Sequence, residues 1–127
     1  MRVDRDAGDA VMLDYILGAD KRPVRLYPGP SAHAELAALR SAIKDAQRTV
    51  AVTEVAEGVR VLTEFLFLDY QWGQRTPEFF ETRVIGGPLD EEQRRYATYD
   101  EALAGHARMA HLVRAALWAA FAEVEVA

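Results

Sequence analysis

The last third of the chain carries apolar residues at steps of three and four, the spacing of a helix with one buried face. We expect this helix to run from about Tyr99 to about Ala122. Thr98 and Glu101 have the spacing of a capping box, in which each side chain bonds a backbone amide that the first turn leaves unpaired. The expected buried stripe consists of Ala102, Leu103, His106, Met109, Ala110, Val113, Leu117 and Phe121.

A shorter helix with the same period is predicted from Ala32 to near Gln47. After it the pattern changes to one rich in β-branched and aromatic residues, which predicts strands. Ala56-Glu57-Gly58 has the composition of a hairpin turn between two of them. The predicted strands are Val11–Leu17, Val24–Tyr27, Thr49–Val55, Val59–Asp69 and Glu78–Ile85.

Alternation within the predicted strand Val59–Asp69 assigns its side chains to two faces of a sheet. One face carries Val59, Val61, Thr63, Phe65 and Phe67. The run from Phe65 to Leu68 is apolar on both faces, which is typical of a central strand covered on both sides. The polar segment Leu89–Arg95 predicts an exposed connection.

These elements indicate an α+β fold, with an antiparallel sheet of four or five strands packed against two helices in a single domain, residues 1–127. The first ten residues are small and charged, which predicts a flexible arm. A chain of 127 residues is long enough to bury one hydrophobic core.

Composition and charge exclude several classes of function. Lys and Arg total 15 against 20 Asp and Glu, a net charge of -5, so we expect no nucleic-acid partner. The absence of cysteine excludes disulfides, thiolate nucleophiles and cysteine-based zinc sites. The sequence has no P-loop, dinucleotide fingerprint or Gly-x-Ser-x-Gly motif. No segment resembles a signal peptide or spans a bilayer, so we expect a cytoplasmic protein without a membrane partner.

Charged residues inside the predicted strands are the first candidates for a site. Glu54, Glu64 and Glu81 lie in three strands, and their convergence on one face beside Arg60 or Arg83 depends on a register that the sequence does not give. A carboxylate beside a guanidinium orients a polar ligand, whereas two desolvated carboxylates do acid–base work or hold a divalent cation. The other interpretation is a solvated face whose ion pairs contribute roughly a few tenths of a kcal/mol each.

The terminal helix and the end of the longest predicted strand hold the other candidates. His106 follows Gly105, and a glycine inside a helix marks close approach by another backbone or a ligand. His106 therefore either faces a pocket or is a structural residue of the core. Asp69 and Trp72 suit hydrogen bonding and stacking on a planar ligand, or else they close the end of the core. The other two histidines have no metal-ligand spacing to His106, so we expect no histidine-based metal site. We assign no metal ligands and expect no cofactor.

Six segments of the chain form a recognisable signature. They are VLTEFLFLDYQWG at 61–73, FETRVIGGPLD at 80–90, RYAT at 95–98, EALAGH at 101–106 and the shorter YIL at 15–17 and RTVAVTEV at 48–55. Together they resemble a family of small uncharacterised proteins of actinobacteria and their phages, over about residues 13–117. The resemblance implies a bacterial or phage origin and carries no settled activity.

The chain departs from this family at three positions. Tyr70 stands where the family usually has His, Phe67 replaces a usual Gly, and Arg83 replaces a usual Met. We therefore expect no mechanism that needs this His as base or ligand. The layout of sheet and capping-box helix is also similar, more loosely, to phage proteins that sequester cyclic nucleotide signals, such as the Thoeris anti-defence sponges.

These observations favour a non-enzymatic binding or assembly protein of bacterial or phage origin that forms a homo-oligomer through an apolar sheet or helix surface. The arginines would pair with charges on a small polar or nucleotide-like ligand, and Trp72 would stack on it. The expected site residues are Arg60, Glu64, Asp69, Trp72, Glu81, Arg83 and His106. The alternative is a small hydrolase or lyase, with or without a divalent metal, that holds Glu64 and Glu81 within about one water's reach in a concave, partly buried site.

Overall fold

The computed structural model describes residues 15–26, 34–68 and 76–126. This part of the chain forms the predicted α+β fold, with a four-stranded antiparallel sheet, a separate two-stranded sheet and two helices. The strands are β1 (Tyr15–Leu17), β2 (Pro23–Arg25), β3 (Thr49–Ala56), β4 (Val59–Phe65), β5 (Phe80–Ile85) and β6 (Gln93–Tyr96), and the helices are α1 (Ala34–Gln47) and α2 (Tyr99–Val126). The predicted arm at residues 1–10 lies outside the described residues.

The order of the larger sheet is β3-β4-β5-β6, so each strand pairs with its neighbour in the chain. Helix α2 packs across all four strands on one side, which we call the inner face of the sheet. The β1–β2 hairpin is joined to the end of α1 by Gln47, whose side-chain amide donates to the Leu17 carbonyl and accepts from the Leu17 N–H. None of the described helices is both long and apolar enough to cross a membrane.

The core between the inner face and α2 follows the alternation in β4. Val61, Thr63 and Phe65 are at most 1% exposed. One end of the core is aromatic, because Phe65 packs on Phe80 and on Phe79 while Phe80 also meets Tyr99 edge-on. The other end is aliphatic and is formed by Val59, Val61, Val84, Met109, Ala110 and Val113.

The capping box at the start of α2 is confirmed. The Thr98 hydroxyl accepts from the Glu101 N–H at 3.1 Å, and the Glu101 carboxylate accepts from the Thr98 N–H and the Ala97 N–H at 3.2 Å each. Three backbone amides ahead of the second helical turn are thereby satisfied, which fixes where α2 begins.

Two strand predictions are wrong. Strand β4 ends at Phe65 rather than Asp69, because Phe67 has a φ of 65° and turns the chain out of the extended conformation. The run from Phe65 to Leu68 is therefore not a central strand covered on both sides. The segment predicted as an exposed connection contains β6, which pairs with β5 along the edge of the sheet. Its sequence, QRRY, lacks the β-branched residues that mark strands.

The buried stripe predicted for α2 is right at five positions and wrong at two. Leu103 is 41% exposed and Phe121 is 59% exposed, whereas Ala102, His106, Met109, Ala110 and Val113 are buried. Phe121 is exposed because α2 is longer than the sheet that it covers. Its 28 residues extend about 42 Å, whereas the longest strand, with 8 residues, extends only about 27 Å.

Candidate functional site

His106 lies on the inner face, where it joins α2 to three strands of the sheet. Its Nε2 is 2.8 Å from the Thr53 hydroxyl of β3, and its Nδ1 is 2.7 Å from the Thr63 hydroxyl of β4. The Thr63 hydroxyl also bonds the Thr82 hydroxyl of β5 at 2.5 Å. His106 is 7% exposed, and this burial lowers the pKa of its imidazole below the ordinary 6.5. Both ring nitrogens are therefore engaged by the protein itself.

Tyr96, at the end of β6, lies against Gly105 of α2. A Cβ atom at residue 105 would overlap the tip of the Tyr96 ring, so only glycine leaves room for this contact. The glycine was expected to mark close approach by a backbone or a ligand, and the neighbour that the structure shows is instead a tyrosine side chain. This contact seats β6 on the first turns of α2.

The opposite, outer face of the sheet carries a group of four charged residues, which we call the charged row. Glu64 of β4 is directly opposite Glu81 of β5, and Glu81 is opposite Arg95 of β6. Arg83 Nη2 lies 3.6 Å from Glu64 Oε1, and Arg95 Nε donates to Glu81 Oε2 at 3.1 Å. The Glu64 and Glu81 side chains are 23% and 12% exposed. Two like charges face each other, and each is compensated by its own arginine.

The strand registers also show on which face of the sheet the remaining candidate residues lie. Arg60 is opposite Glu54 on one side and Ile85 on the other, so both charged residues share the outer face with the charged row. His106 is on the other side of the sheet, separated from these residues by the strands themselves. The predicted site residues Asp69 and Trp72 lie outside the described residues.

A cleft of about 380 Å³ opens beside the charged row, between β6 and the first turns of α2. This β6–α2 cleft is lined by Thr76, Glu78, Arg95, Tyr96, Ala97, Glu101, Ala104 and Arg108. Its volume is within the range of small-molecule sites. Arg95 links it to the charged row, since its guanidinium both bonds Glu81 and lines the cleft.

The cleft contains functional candidates that the sequence did not single out. Its lining comes from three stretches of chain around residues 76–78, 95–97 and 101–108, which only the pairing of β6 and the packing of α2 bring together. In the sequence, only the glycine at position 105 indicated this part of the fold, because Gly105 leaves room for Tyr96, which lines the cleft. Among the described residues, no group of three or more His, Asp or Glu side chains is arranged to hold a metal ion.

Comparison with known proteins adds no assignment: no protein-family model, curated protein or solved structure matches the chain. The geometry of the described residues is therefore the basis for the function proposed below.

Proposed function

We propose that the protein is a non-enzymatic binding protein of a bacterial or phage cytoplasm that takes a small polar, nucleotide-like ligand in the β6–α2 cleft. The observation that supports this most is the arrangement of two arginines, Arg95 and Arg108, along one cleft of small-molecule size. Guanidinium groups bind carboxylates and phosphates through paired, charge-assisted hydrogen bonds. The ligand is therefore expected to carry an acidic group.

Arg95 is held in position before any ligand arrives. Its Nε donates to Glu81, and its side chain is 37% exposed. A binding group that is already oriented loses less conformational entropy on binding, which favours affinity. In this proposal Glu81 and the charged row orient the cleft arginine and do not contact the ligand.

The other polar residues of the cleft include Glu78 and Tyr96, and Glu78 already interacts with another group of the protein. The Glu101 carboxylate is occupied by two backbone amides. The ligand is therefore inferred from the two arginines, and an anionic molecule such as a nucleoside phosphate complements them.

The alternative of a hydrolase based on Glu64 and Glu81 is less consistent with the contacts. Each of these carboxylates is already engaged by an arginine, Glu64 by Arg83 at 3.6 Å and Glu81 by Arg95 at 3.1 Å. Neither residue lines the cleft. An acid–base pair would instead need two carboxylates directed at a shared, concave space.

The test is titration of the full chain with adenosine 5′-monophosphate and with inorganic phosphate. Isothermal calorimetry and the chemical shifts of the backbone amides monitor binding. Native mass spectrometry of protein purified from its host supplies the mass of any molecule that co-purifies. We expect the chain to bind at least one of the two probes or to co-purify with a small molecule. In Arg108→Gln the affinity for the bound molecule should fall by about tenfold or more.

Arg114→Gln is the matched control, because Arg114 is an exposed arginine of the same helix outside the cleft. It should bind like the wild type. A chain that binds neither probe and purifies with no added mass would overturn the proposal. Equal losses in the two arginine variants would also overturn it, since they would indicate only the general charge of the helix.

A further inference from the structure

We propose that the outward face of α2 docks a second copy of this chain, with Trp118 and Phe121 of each copy seated on the other copy's helix. This dimer stands on observations separate from the cleft, and it holds whether or not the cleft binds a ligand. The two features that carry it are an exposed aromatic pair and an apolar hollow, both on α2.

The aromatic pair lies near the C-terminal end of α2. The rings of Trp118 and Phe121 stack with their centroids 6.0 Å apart, and the residues are 71% and 59% exposed. Up to residue 122, where the burial of α2 is described, Val113 is the last fully buried residue, and Leu117 is only partly buried. Trp118 and Phe121 therefore present an aromatic surface that the described core does not use.

The hollow lies two to three turns earlier on the same helix. It has a volume of about 430 Å³ and is lined by Ala107, Arg108, His111 and Leu112, with Leu112 51% exposed. Trp118 is seven residues after His111, which is two helical turns, so the ring and the hollow are on the same side of α2. One helix thus carries both a protruding group and an apolar recess able to receive such a group.

A second copy is the occupant that uses both features. In a twofold pairing of antiparallel α2 helices, the aromatic pair of each chain meets the hollow of the other, so the same contact forms twice. The chain thus carries both halves of the contact itself, and no other molecule is needed to cover the two features. The small side chains of Ala104, Ala115 and Ala122 allow the two helices to approach closely along this face.

The exposed area agrees with a weak but specific dimer. An aromatic side chain buries roughly 150–250 Å², so the exposed parts of Trp118 and Phe121 offer roughly 250 Å² per chain. Two chains then contribute about 500 Å² from these rings, and Leu112, Ala107 and His111 add to it. Stable specific interfaces start at about 1,200 Å², so a contact of this size belongs with the weak, transient ones. We therefore expect a dimer that forms only at high protein concentration.

Dimerisation through this face of α2 also affects the β6–α2 cleft. Arg108 lines both the hollow and the β6–α2 cleft, so a second copy on the hollow would cover one side of this arginine. Ligand affinity is then expected to depend on protein concentration if the proposed function is correct. The oligomeric state itself does not depend on that outcome.

The first experiment measures the mass of the full chain by native mass spectrometry and by sedimentation velocity, from about 1 to 500 μM. We expect the wild type to move from monomer to dimer over this range. The double variant Trp118→Ala/Phe121→Ala should dimerise more than tenfold more weakly, because a buried aromatic anchor carries much of the energy of an interface. Leu39→Ala is the control, since Leu39 is an exposed leucine (55%) on α1 and should leave the dimer unchanged.

The second experiment tests the geometry. The chain has no cysteine, so engineered cysteines form disulfides without background. In the double variant Ala104→Cys/Ala122→Cys, the two sulfurs of one chain are 18 residues apart on one helix, about 27 Å, which forbids an internal bond. An antiparallel dimer brings residue 104 of one copy near residue 122 of the other, and oxidation should give a covalent dimer. Each single-cysteine variant should cross-link poorly.

Three results would overturn the dimer: a wild type that remains monomeric at 500 μM, a Trp118→Ala/Phe121→Ala variant that dimerises like Leu39→Ala, or cross-linking as strong in the single-cysteine chains. Circular dichroism and the melting temperature show whether each variant is folded. Because Trp118 and Phe121 are exposed, we expect the variants to fold normally.

Discussion

The ring of Tyr96 lies directly against Gly105, in the space that a Cβ atom there would occupy. Glycine inside a helix costs about 1 kcal/mol relative to alanine, and here the packing of Tyr96 against α2 offsets that cost. This contact joins the edge strand β6 to the first turns of α2. It is also a wall of the proposed ligand cleft, because Tyr96 lines that cleft.

Gly105→Ala should therefore destabilise the protein by about 1 kcal/mol, the net of a gain in helix propensity and a larger cost of displacing Tyr96. In a Tyr96→Ala background the same substitution should become stabilising, by up to about 1 kcal/mol, since only the propensity gain is left. Urea unfolding of the four chains in this cycle measures both effects. The same sign in both backgrounds would contradict the role given to Tyr96.

Gly86→Ala should be among the most destabilising substitutions in the chain, at about 3 kcal/mol or more. Gly86 has a φ of 85°, and a Cβ atom there would overlap the backbone carbonyl oxygen of Gly58, which has no room to move aside. Gly58→Ala is the matched control, because Gly58 has a φ of 75° but open space around it. We expect it to cost only about 1–2 kcal/mol in thermal unfolding. Equal losses of stability in the two variants would show that the overlap with the Gly58 carbonyl is relieved at no cost.

Local signals in the sequence were sufficient for most of the fold. The capping box located the start of α2, and the alternation in β4 identified its buried face, because both depend on residues a few positions apart. Strand β6 was missed because an edge strand with polar side chains gains its stability from pairing with β5, which the sequence does not display. Phe121 was misassigned because periodicity gives the side of a helix but not the length of the sheet that it covers, and Leu103 because periodicity does not give the width of the buried side.

The candidate site could be predicted only in part. The sequence supplied the charged residues of the strands, and the register that puts Glu64 opposite Glu81 came from the structure. His106 was proposed beside those charges, whereas it is on the inner face, because the alternation of strands does not say which face a helix covers. The β6–α2 cleft depends on contacts between distant segments, which no local pattern encodes.

Thr63→Val should destabilise the protein by about 1–3 kcal/mol. Thr63 is fully buried and bonds both His106 and Thr82, so the substitution leaves two buried polar groups without this partner. Thr82→Val is an equally buried control that removes only the end of the network and keeps the bond between Thr63 and His106. We expect it to cost less than Thr63→Val in urea unfolding. The reverse order would contradict the central position of Thr63.

Stability should fall as the pH is lowered from about 6.5, and His106 is the expected cause. Burial lowers the pKa of its imidazole in the folded protein, so between the unfolded pKa near 6.5 and the lower folded pKa the unfolded chain binds more protons. The free energy of unfolding then rises with pH in this window and is fully regained above about pH 6.5. Below the folded pKa the loss contributed by His106 reaches a plateau.

His106→Gln tests this assignment because an amide also donates and accepts hydrogen bonds but does not titrate. Urea unfolding at several pH values between 5 and 7.5 gives the slope of the free energy of unfolding against pH. This slope should be smaller in His106→Gln than in the wild type. Leu39→Ala is the control, since Leu39 is exposed and its side chain does not titrate, and it should retain the wild-type slope. If His106→Gln kept the full slope, the imidazole would have to be equally accessible to protons in the folded and unfolded chains.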